Sequence, residues 1–391
     1  MLKYIAIIGI ILLSYHSFSQ VNAGPDITVS AGIPIELNGR YTGYIGTPVT
    51  ATDDGYVGPF DVGFDFVFFG NSYNQFAIGP NGLISFDVPD IIGESFFYDI
   101  TIPTHESYFQ KAILGPYQDL FARPIQPHSQ YIYYKTVGQA GERKLIVGWC
   151  EAPMFGCSSE TASYQIVLNE TDNSISNHIL SKPYCNNNLN LATQGLNFHS
   201  TMAVSIPDRN AESWTALQES WEFTPDGPEN YLVNFVTFEP EIIVPSGKLS
   251  WAWYKDNYPN GELISTNKSL MVSPSEKTEY YCEITTCSGL KYYDQMTINA
   301  IPIPNAFNPN SAALENQEFK LYMDPAEELK NFAFYIYDRW GKLVFETTDI
   351  EEGWDGTQNG KPCNAGVYIW TIYYEGETSE ATNKGKVTLV N

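Results

Sequence analysis

Residues 332–346 read FAFYIYDRWGKLVFE, and this stretch decides how the C-terminal part of the chain folds. From Phe332 to Tyr337 alternate residues point to opposite faces of an extended strand, and both faces are apolar. Such a pattern predicts an inner strand of a sheet. Asp338 to Gly341 is a turn by its Asp and Gly, and Lys342 to Glu346 returns as the partner strand of a hairpin.

The sequence around this hairpin completes a small domain. A second turn cluster lies at Gly353 to Gly356, and Val367 to Tyr374 and Lys386 to Val390 are two further β-rich runs. Upstream, two prolines within Ile301 to Pro304 fix φ and remove strand donors, which predicts an extended linker. We therefore predict a domain boundary at 301 and a small antiparallel sandwich over 301–391.

The motifs of this domain resemble the gliding-motility-associated C-terminal domain of Bacteroidetes, the type B sorting domain of the type IX secretion system. The residues that carry the resemblance are Pro304, Asn305, Ala306, Phe307, Tyr337, Arg339, Trp340, Gly341, Gly353, Trp354, Asp355, Gly356, Gly366 and Tyr368. The resemblance implies that the outer-membrane translocon and its shuttle protein are partners. One departure is the segment from Ser311 to Asn316, where the family has an acidic turn, so calcium binding by that turn is not implied.

Composition indicates an all-β chain of two to four domains. The 391 residues are 43% hydrophobic and 15% aromatic, with 30 Gly and 24 Pro for turns. The formal charge of −24 argues against nucleic acid as a partner, because such binding depends on Lys and Arg neutralising phosphates. We read the acidity as a solvated surface.

The N-terminus has the pattern of a signal peptide over 1–19. Lys3 precedes an apolar run from Tyr4 to Leu13, and small residues at Ser17 and Ser19 predict cleavage before Gln20. The run is too short for a stable membrane span, and no later stretch reaches about twenty apolar residues. We therefore expect a mature chain without a membrane span, secreted to the cell surface on the exterior of the outer membrane.

Residues 20–43 contain two short strands, Ile27 to Val29 and Ile33 to Leu37, that cannot form a core alone. From 44 to 238 the sequence is a run of hairpins, with a buried strand around Phe64 to Phe68 and a hairpin turn at Gly79 to Gly82. One large β-sandwich is expected. The region resembles the nidogen-like domain of Bacteroidetes surface proteins, which implies an extracellular interaction module; the likeness is carried by Asp53–Gly55, Gly63–Phe64, Phe68–Gly70, Asn81–Gly82, Leu114–Asp119, Pro153–Phe155, Cys157, Tyr164–Leu168, Lys182–Cys185 and Trp214–Gly227.

Residues 239–300 predict an Ig- or PKD-like sandwich, with Trp251 to Tyr254 as an inner strand and turn signals at the spacing such folds need. The segment is short for this fold. An alternative hypothesis is that the strands from Ile27 to Leu37 belong to it, with the nidogen-like domain inserted between. The fold class is all-β, with several β-sandwich domains in tandem.

Six cysteines in an exported chain favour disulfides. Cys157 and Cys185 match cysteine positions of the nidogen-like family, so the resemblance implies that they pair. Cys282 and Cys287 are close in one predicted domain, and we expect a local bridge. Cys150 and Cys363 remain, and we prefer two free thiols to an interdomain bridge.

Catalytic motifs are missing from the sequence. It has no Gly-x-Ser-x-Gly, no His-Glu-x-x-His and no phosphate-binding loop, and the histidines (His105, His128, His178 and His199) are scattered. The densest acidic cluster offers a calcium site with the ligands Asp53, Asp54, Asp61 and Asp65, but Asp53-Asp54-Gly55 equally predicts a turn, with Asp61 and Asp65 facing water as the alternative. No other cofactor is implied. The tryptophans are either sandwich core or sugar-stacking platforms, and core is favoured.

These observations predict a non-enzymatic type IX substrate at the cell surface. We expect it to act in adhesion or gliding motility, as an accessory to a larger surface adhesin. Two other classes remain as alternatives, a lectin-like carbohydrate-binding protein and a secreted hydrolase.

Overall fold

The computed structural model describes residues 20–88, 99–121, 131–245, 247–322, 331–375 and 380–390. The predicted signal peptide 1–19 and His128 lie outside these residues. The chain divides into two compact units. We call the unit of 43–250 and 284–291 the inserted unit, and the unit formed by the rest of the chain the flanking unit.

The described residues form almost entirely β-strands. The first segment contains β1 (Val21–Asn22), β2 (Ile27–Ser30), β3 (Ile35–Asn38) and β4 (Arg40–Tyr41). The next contains β5 (Tyr44–Val49), β6 (Val57–Phe68), β7 (Asn71–Gly79), β8 (Leu83–Ser85), β9 (Ala112–Tyr117), β10 (Ile132–Val137), β11 (Lys144–Met154), β12 (Cys157–Asn169), β13 (Ile175–Lys182), β14 (Leu191–His199), β15 (Met202–Ser213), β16 (Ala216–Pro225), β17 (Tyr231–Val236) and β18 (Ile243–Pro245).

The C-terminal segments continue the pattern. They contain β19 (Ser250–Lys255), β20 (Glu262–Ser265), β21 (Ser269–Val272), β22 (Thr278–Thr285), β23 (Lys291–Ile301), β24 (Ala306–Phe307), β25 (Asn331–Tyr337), β26 (Leu343–Thr347), β27 (Thr357–Gln358), β28 (Lys361–Pro362), β29 (Gly366–Glu375) and β30 (Glu380–Leu389). Short 3₁₀ turns lie at Ser107–Phe109, Asn187–Asn190, Cys287–Gly289 and Leu314–Asn316. In the described part of the chain, no helix is long and apolar enough to cross a bilayer.

The inserted unit is a sandwich of two large sheets. Among its described strands one sheet has the order β17-β16-β13-β12-β11-β10-β5-β18 and the other β15-β14-β9-β8-β7-β6. The alternation in strand β6 explains the sandwich. Phe64, Phe66 and Phe68 are buried while Asp65 and Val67 between them are exposed, so one face of the strand packs on the core and the other faces solvent. The expected buried strand is confirmed, and so is the hairpin at Gly79 to Gly82, which joins β7 to β8.

The first sheet of the flanking unit combines strands that precede the inserted unit in sequence with strands that follow it. Strand β2 pairs in parallel with β23, with Ile27 opposite Ile298, and β3 pairs antiparallel with β21. The five-stranded sheet has the order β2-β23-β22-β19-β20 within the described residues. The strands from Ile27 to Leu37 therefore belong to the same fold as residues 251–301. This pairing confirms the alternative in which the intervening domain is an insertion.

The C-terminal part of the flanking unit contains a five-stranded sheet of the order β24-β30-β29-β25-β26 in the described residues. Strand β25 lies between β29 and β26, so the predicted inner strand and its hairpin are confirmed. One face of the sheet is buried, and its aromatic side chains include Phe334, Trp370 and Tyr374. Gly385 lies opposite Trp370. A Cβ atom there would lie 2.4 Å from Cζ2 of the indole, so this position needs glycine.

The disulfides correct one prediction and confirm another. Cys157 pairs with Cys185, as the family resemblance implied. The Cys282–Cys287 bridge is wrong, because Cys287 pairs with Cys150 at a Cα–Cα distance of 5.3 Å and Cys282 is a buried free thiol. The expectation that Cys150 is free is also wrong, whereas Cys363 is free as expected.

The geometry of β22 explains the error. Cys282 lies within the strand and points into the core, where its Sγ would be 2.7 Å from a Cβ at Gly39. Cys287 lies beyond the strand end, in the 3₁₀ turn Cys287–Gly289. Sequence proximity therefore did not bring the two sulfur atoms together.

We predict that the Cys150–Cys287 bridge is the more stabilising of the two. It links residues 137 apart, against 28 for the other bridge, and cross-linking a loop of this length restricts the unfolded chain by on the order of 4–5 kcal/mol. The double variant Cys150→Ala/Cys287→Ala should lose free energy of unfolding of this order in chemical denaturation. Cys363→Ala is the control and should change it little. Non-reducing peptide mapping that found Cys282 joined to Cys287 would contradict the pairing.

We predict that Gly385→Ala destabilises the C-terminal domain by about 1–3 kcal/mol, because the methyl group overpacks against Trp370. The measurement is the unfolding midpoint of the full chain. Lys384→Ala, at the neighbouring exposed position, should change it by less than about 0.5 kcal/mol. Equal midpoints for the two variants would show that Trp370 does not restrict this position.

Candidate functional site at the motif end of the C-terminal domain

The tryptophan of the second turn cluster is the centre of the C-terminal core. Trp354 is fully buried, with its ring centroid 5.3 Å from that of Phe307 and 4.6 Å from that of Tyr368. Its Nε1 donates a hydrogen bond to the Thr357 carbonyl at 2.9 Å. Gly356 follows with φ +81°, and a Cβ there would lie 2.8 Å from Cγ of Pro309. This motif is therefore used to build the domain.

The Pro304-Asn305-Ala306-Phe307 motif acts mainly through its backbone. Ala306 and Phe307 form β24, which pairs in parallel with the end of β30. The carbonyl of Asn305 accepts a hydrogen bond from Thr388, and that of Phe307 accepts one from Val390, both at 2.9 Å. The motif thus ties the start of the domain to its last strand.

The turn at Asp338 to Lys342 is held by the aspartate. Oδ1 of Asp338 accepts hydrogen bonds from the backbone N–H groups of Trp340 at 2.8 Å and Lys342 at 3.0 Å. The Asp338 N–H donates to the Lys342 carbonyl at 2.9 Å, and Gly341 has φ +82°. Since a positive φ favours glycine, Asp338 and Gly341 together fix the turn and the Trp340 indole takes no part in it.

The two motif turns meet at one end of the domain. Burial raises the pKa of the half-buried Cys363 thiol, while Asp355, Asp338 and Lys342 all act on it electrostatically. Tyr368 lies against the same thiol and donates a hydrogen bond to the Asn364 carbonyl. The structure therefore brings Asp338 and Lys342 of the first turn, Asp355 of the second turn and Tyr368 close to Cys363, and we call this end of the domain, with the turn from Asp338 to Lys342, the motif end.

The motif end exposes two side chains that the fold does not use. Trp340 is 83% exposed, more than any other large hydrophobic side chain in the described residues. Arg339 is also exposed, and its guanidinium lies 6.0 Å from the indole centroid. The outer face of the sheet continues from this turn, with Tyr337 opposite Ile369 and Ile369 opposite Lys386. This surface is the candidate interaction site.

The four aspartates predicted to bind calcium are not brought together. Asp61 and Asp65 lie on the exposed face of β6 and line an open depression with Arg143. Asp54 accepts a hydrogen bond at 2.9 Å from Asn81 instead. In the described parts of the chain, no group of three or more His, Cys, Asp or Glu side chains is positioned to hold a metal ion. The four-residue site is therefore wrong as a set.

Asp53 and Asp54 instead act on a carboxylate that sequence reasoning missed. Burial, together with the charges of Asp54, Asp53 and Asp99, raises the pKa of Asp119 to about 7. Asn81 links the two segments, because its Oδ1 accepts a hydrogen bond from the Leu120 N–H at 2.8 Å while its Nδ2 donates to Asp54. The Asn-Gly pattern indicated only a turn at Asn81.

The histidines do not form a catalytic arrangement in the described residues. His105 is exposed, His199 is half-buried, and the two are far apart in sequence. His178 lies 2.7 Å from Oγ of Ser220 through its Nδ1, a cross-strand pair that the sequence did not indicate. Ser220 is fully buried, and burial lowers the pKa of His178 to about 4. A neutral histidine beside an inaccessible hydroxyl fits a structural hydrogen bond.

The tryptophans of the inserted unit are core or are covered. Trp149 is buried and stacks on Tyr164 with centroids 4.9 Å apart. Arg209 lies between Trp214 and Trp221, at 4.1 and 5.4 Å from their centroids. Cation–π contacts of this kind occupy the ring faces that a sugar would need.

Comparison with known proteins now places the chain. A family described as NIDO related matches residues 36–235, just over half of the 391 residues. The chain belongs to the NIDO-related family. The CHU_C type IX secretion signal domain matches residues 301–389, which contain the motif end. This NIDO-related protein is therefore a substrate of type IX export, and the secretion machinery recognises its signal domain.

Comparison with curated proteins found no match. Among solved structures, the chain is similar to dimeric latent PorU from Porphyromonas gingivalis at 10% identity and a TM-score of 0.17, covering 66% of this chain and 32% of that one. It is also similar to the Sidekick-1 immunoglobulin domains 1–4 at 9% identity and a TM-score of 0.13, covering 96% and 100%. The chain thus spans about a third of the length of PorU.

We predict that Asp119→Asn stabilises the protein at neutral and alkaline pH. The folded pKa of about 7 exceeds the ordinary value of 3.8, so the folded state retains a proton that the unfolded state releases as pH rises above about 4. The gain should be near zero at pH 4 and reach about 1–2 kcal/mol above pH 7, after allowance for partial exposure.

The measurement is the free energy of unfolding of wild type and variant from pH 4 to 9. Asp61→Asn is the matched control, because Asp61 is exposed and should show no such trend. A gain for Asp119→Asn that did not depend on pH would contradict the raised pKa.

Proposed function

We propose that this type IX substrate is retained at the cell surface and acts there by binding, in adhesion or gliding motility, as an accessory to a larger surface adhesin. The observation that carries the proposal is the C-terminal domain. Its motif residues complete a folded sheet with a turn and an outer face in solvent. A folded signal domain can be recognised by its surface and its sheet edges, and this domain would offer such a surface to the translocon and its shuttle protein.

The inserted unit supports a binding role over catalysis. Two of its perturbed titratable groups make structural contacts: His178 bonds to the buried Ser220, and Nζ of Lys182 donates to the Trp214 carbonyl at 2.8 Å. Perturbed pKa values often mark catalytic groups, but the Ser220 hydroxyl beside His178 is fully buried and does not reach a substrate. No observation favours the hydrolase over the binding protein.

The lectin-like alternative also lacks a supporting observation. An open groove of about 480 Å³ runs over the larger sheet of the inserted unit, past residues such as Ser176, His178 and Glu222. It is polar, and no Phe, Tyr or Trp is among the residues that line it. Since sugars commonly bind by stacking on exposed rings, the groove does not favour carbohydrate over a protein partner.

The export part of the proposal predicts that deletion of 301–391 traps the chain in the periplasm, because the signal domain is removed. Fractionation of intact cells, with surface proteolysis, measures the location. The full-length Leu314→Ala variant, exposed in the same domain but outside the motif end, is the control and should reach the surface like wild type. Surface appearance of the truncated chain would overturn the proposed route.

The binding part is tested on the exported protein. Cells that lack the protein should adhere or glide less than wild type, and full-length protein should restore the behaviour. Purified full-length protein should show no turnover of peptide or glycan substrates. Turnover that His178→Ala or Ser220→Ala abolished would favour the hydrolase, and binding on a glycan array would favour the lectin.

A further inference from the structure

The signal residues of the C-terminal domain fall into two groups, buried and exposed. Trp354, Phe307 and Tyr368 are buried against one another, and Gly356 is required by close packing. Their replacement would change the fold itself. Trp340 is different, because its indole is 83% exposed and the turn below it is held by other groups. A large apolar side chain left in solvent has no folding role that explains it.

The turn presents this indole in a pre-organised way. Asp338 Oδ1 accepts two hydrogen bonds from backbone N–H groups of the turn, one of them that of Trp340 itself. Lys342 is tied in addition, through its Nζ, to Oε1 of Gln358 at 3.0 Å. A rigid backbone lowers the entropy that binding would cost. Tryptophan and arginine are also the residues most often found at the energetic centre of protein interfaces.

The charges around the indole indicate the chemistry of the partner. Arg339 and Lys342 flank Trp340, and Lys386 lies on the same outer sheet face, in the row Tyr337, Ile369 and Lys386. The two carboxylates of the motif end, Asp338 and Asp355, both accept hydrogen bonds from backbone N–H groups. This patch is basic and apolar on a chain with a formal charge of −24. It would be complementary to an acidic surface that contains an apolar cleft.

We propose that Trp340, with Arg339 beside it, is the anchor by which the signal domain docks into an acidic, apolar cleft of a protein of the secretion machinery. The inference rests on the proposed export function and names the residues that make the contact. Trp340 fills the cleft, Arg339 and Lys342 pair with carboxylates at its rim, and Ile369 and Val367, 40% and 50% exposed, extend the apolar contact.

A protein partner is favoured over a lipid surface by the geometry. A lipid anchor needs several apolar side chains at one tip, whereas Trp340 stands alone at the tip of this turn among Arg339, Gly341 and Lys342. The neighbouring apolar residues lie on a flat strand face instead. A single exposed ring at the tip of a turn fits a pocket in a protein partner.

The test compares export rates of full-length variants. In a pulse-chase experiment, Trp340→Ala should appear at the cell surface at least about tenfold more slowly than wild type. Arg339→Glu should also be slowed, because it reverses the charge beside the indole. Leu314→Ala is the matched control: Leu314 is 76% exposed in the same domain but lies outside the motif end, and its export should match wild type.

Two further measurements separate the outcomes. Purified Trp340→Ala should have the same unfolding midpoint as wild type. Its slow export then does not result from a loss of folding. Wild-type export of Trp340→Ala, while the 301–391 deletion stays in the periplasm, would overturn the anchor and leave the export route standing. Trp340-dependent binding to anionic phospholipid vesicles, with normal export of Trp340→Ala, would assign the residue to a membrane surface and also overturn it.

Discussion

The parallel pairing of β2 with β23 sets the organisation of the whole chain. It joins Ile27 to Ile298, two residues separated by most of the protein, so the inserted unit between them must fold without disturbing this sheet. The inserted unit meets that constraint because it has its own core, built around residues such as Phe66, Trp149 and Ile166. Its first strand β5 also pairs with its last strand β18. The entry and exit of the insertion therefore lie side by side, as an inserted domain requires.

The C-terminal domain depends on the same kind of constraint at smaller scale. Its five-stranded sheet buries aromatic rings on one face, and the close approach of Trp370 to Gly385 shows how tightly that face is packed. The domain's backbone is closed by β24, which ties the linker to the last strand. Most of the motif residues are buried in the core or form the turns. The few that remain exposed are therefore candidates for contact with a partner.

Burial is the main cause of the pKa shifts of Lys182 and Asp119. Burial lowers the pKa of Lys182 to about 7, and the fully buried amine is held by the Trp214 carbonyl and by Oδ1 of Asn190. Asp119 is shifted in the opposite direction, by burial and by neighbouring carboxylates. In both cases burial raises the energy of the charged form of the side chain, and the pKa shifts toward the neutral form.

The sequence by itself determined the alternating strands, the hairpins and the signal motifs, because these depend on alternation, turn residues and short-range spacing. It also determined that Phe64 to Phe68 would face a core. Only the tertiary structure decided which strands and side chains meet across long separations. Cys287 bonds to Cys150 and not to Cys282, since the direction of a side chain from its strand outweighs proximity in sequence. Asp54 meets Asn81 and acts on Asp119 rather than joining Asp61, since β6 turns Asp61 to solvent. Likewise, only packing showed that Trp354 is core and Trp340 is surface, because two tryptophans in similar turns look alike until the sheet beneath them is assembled.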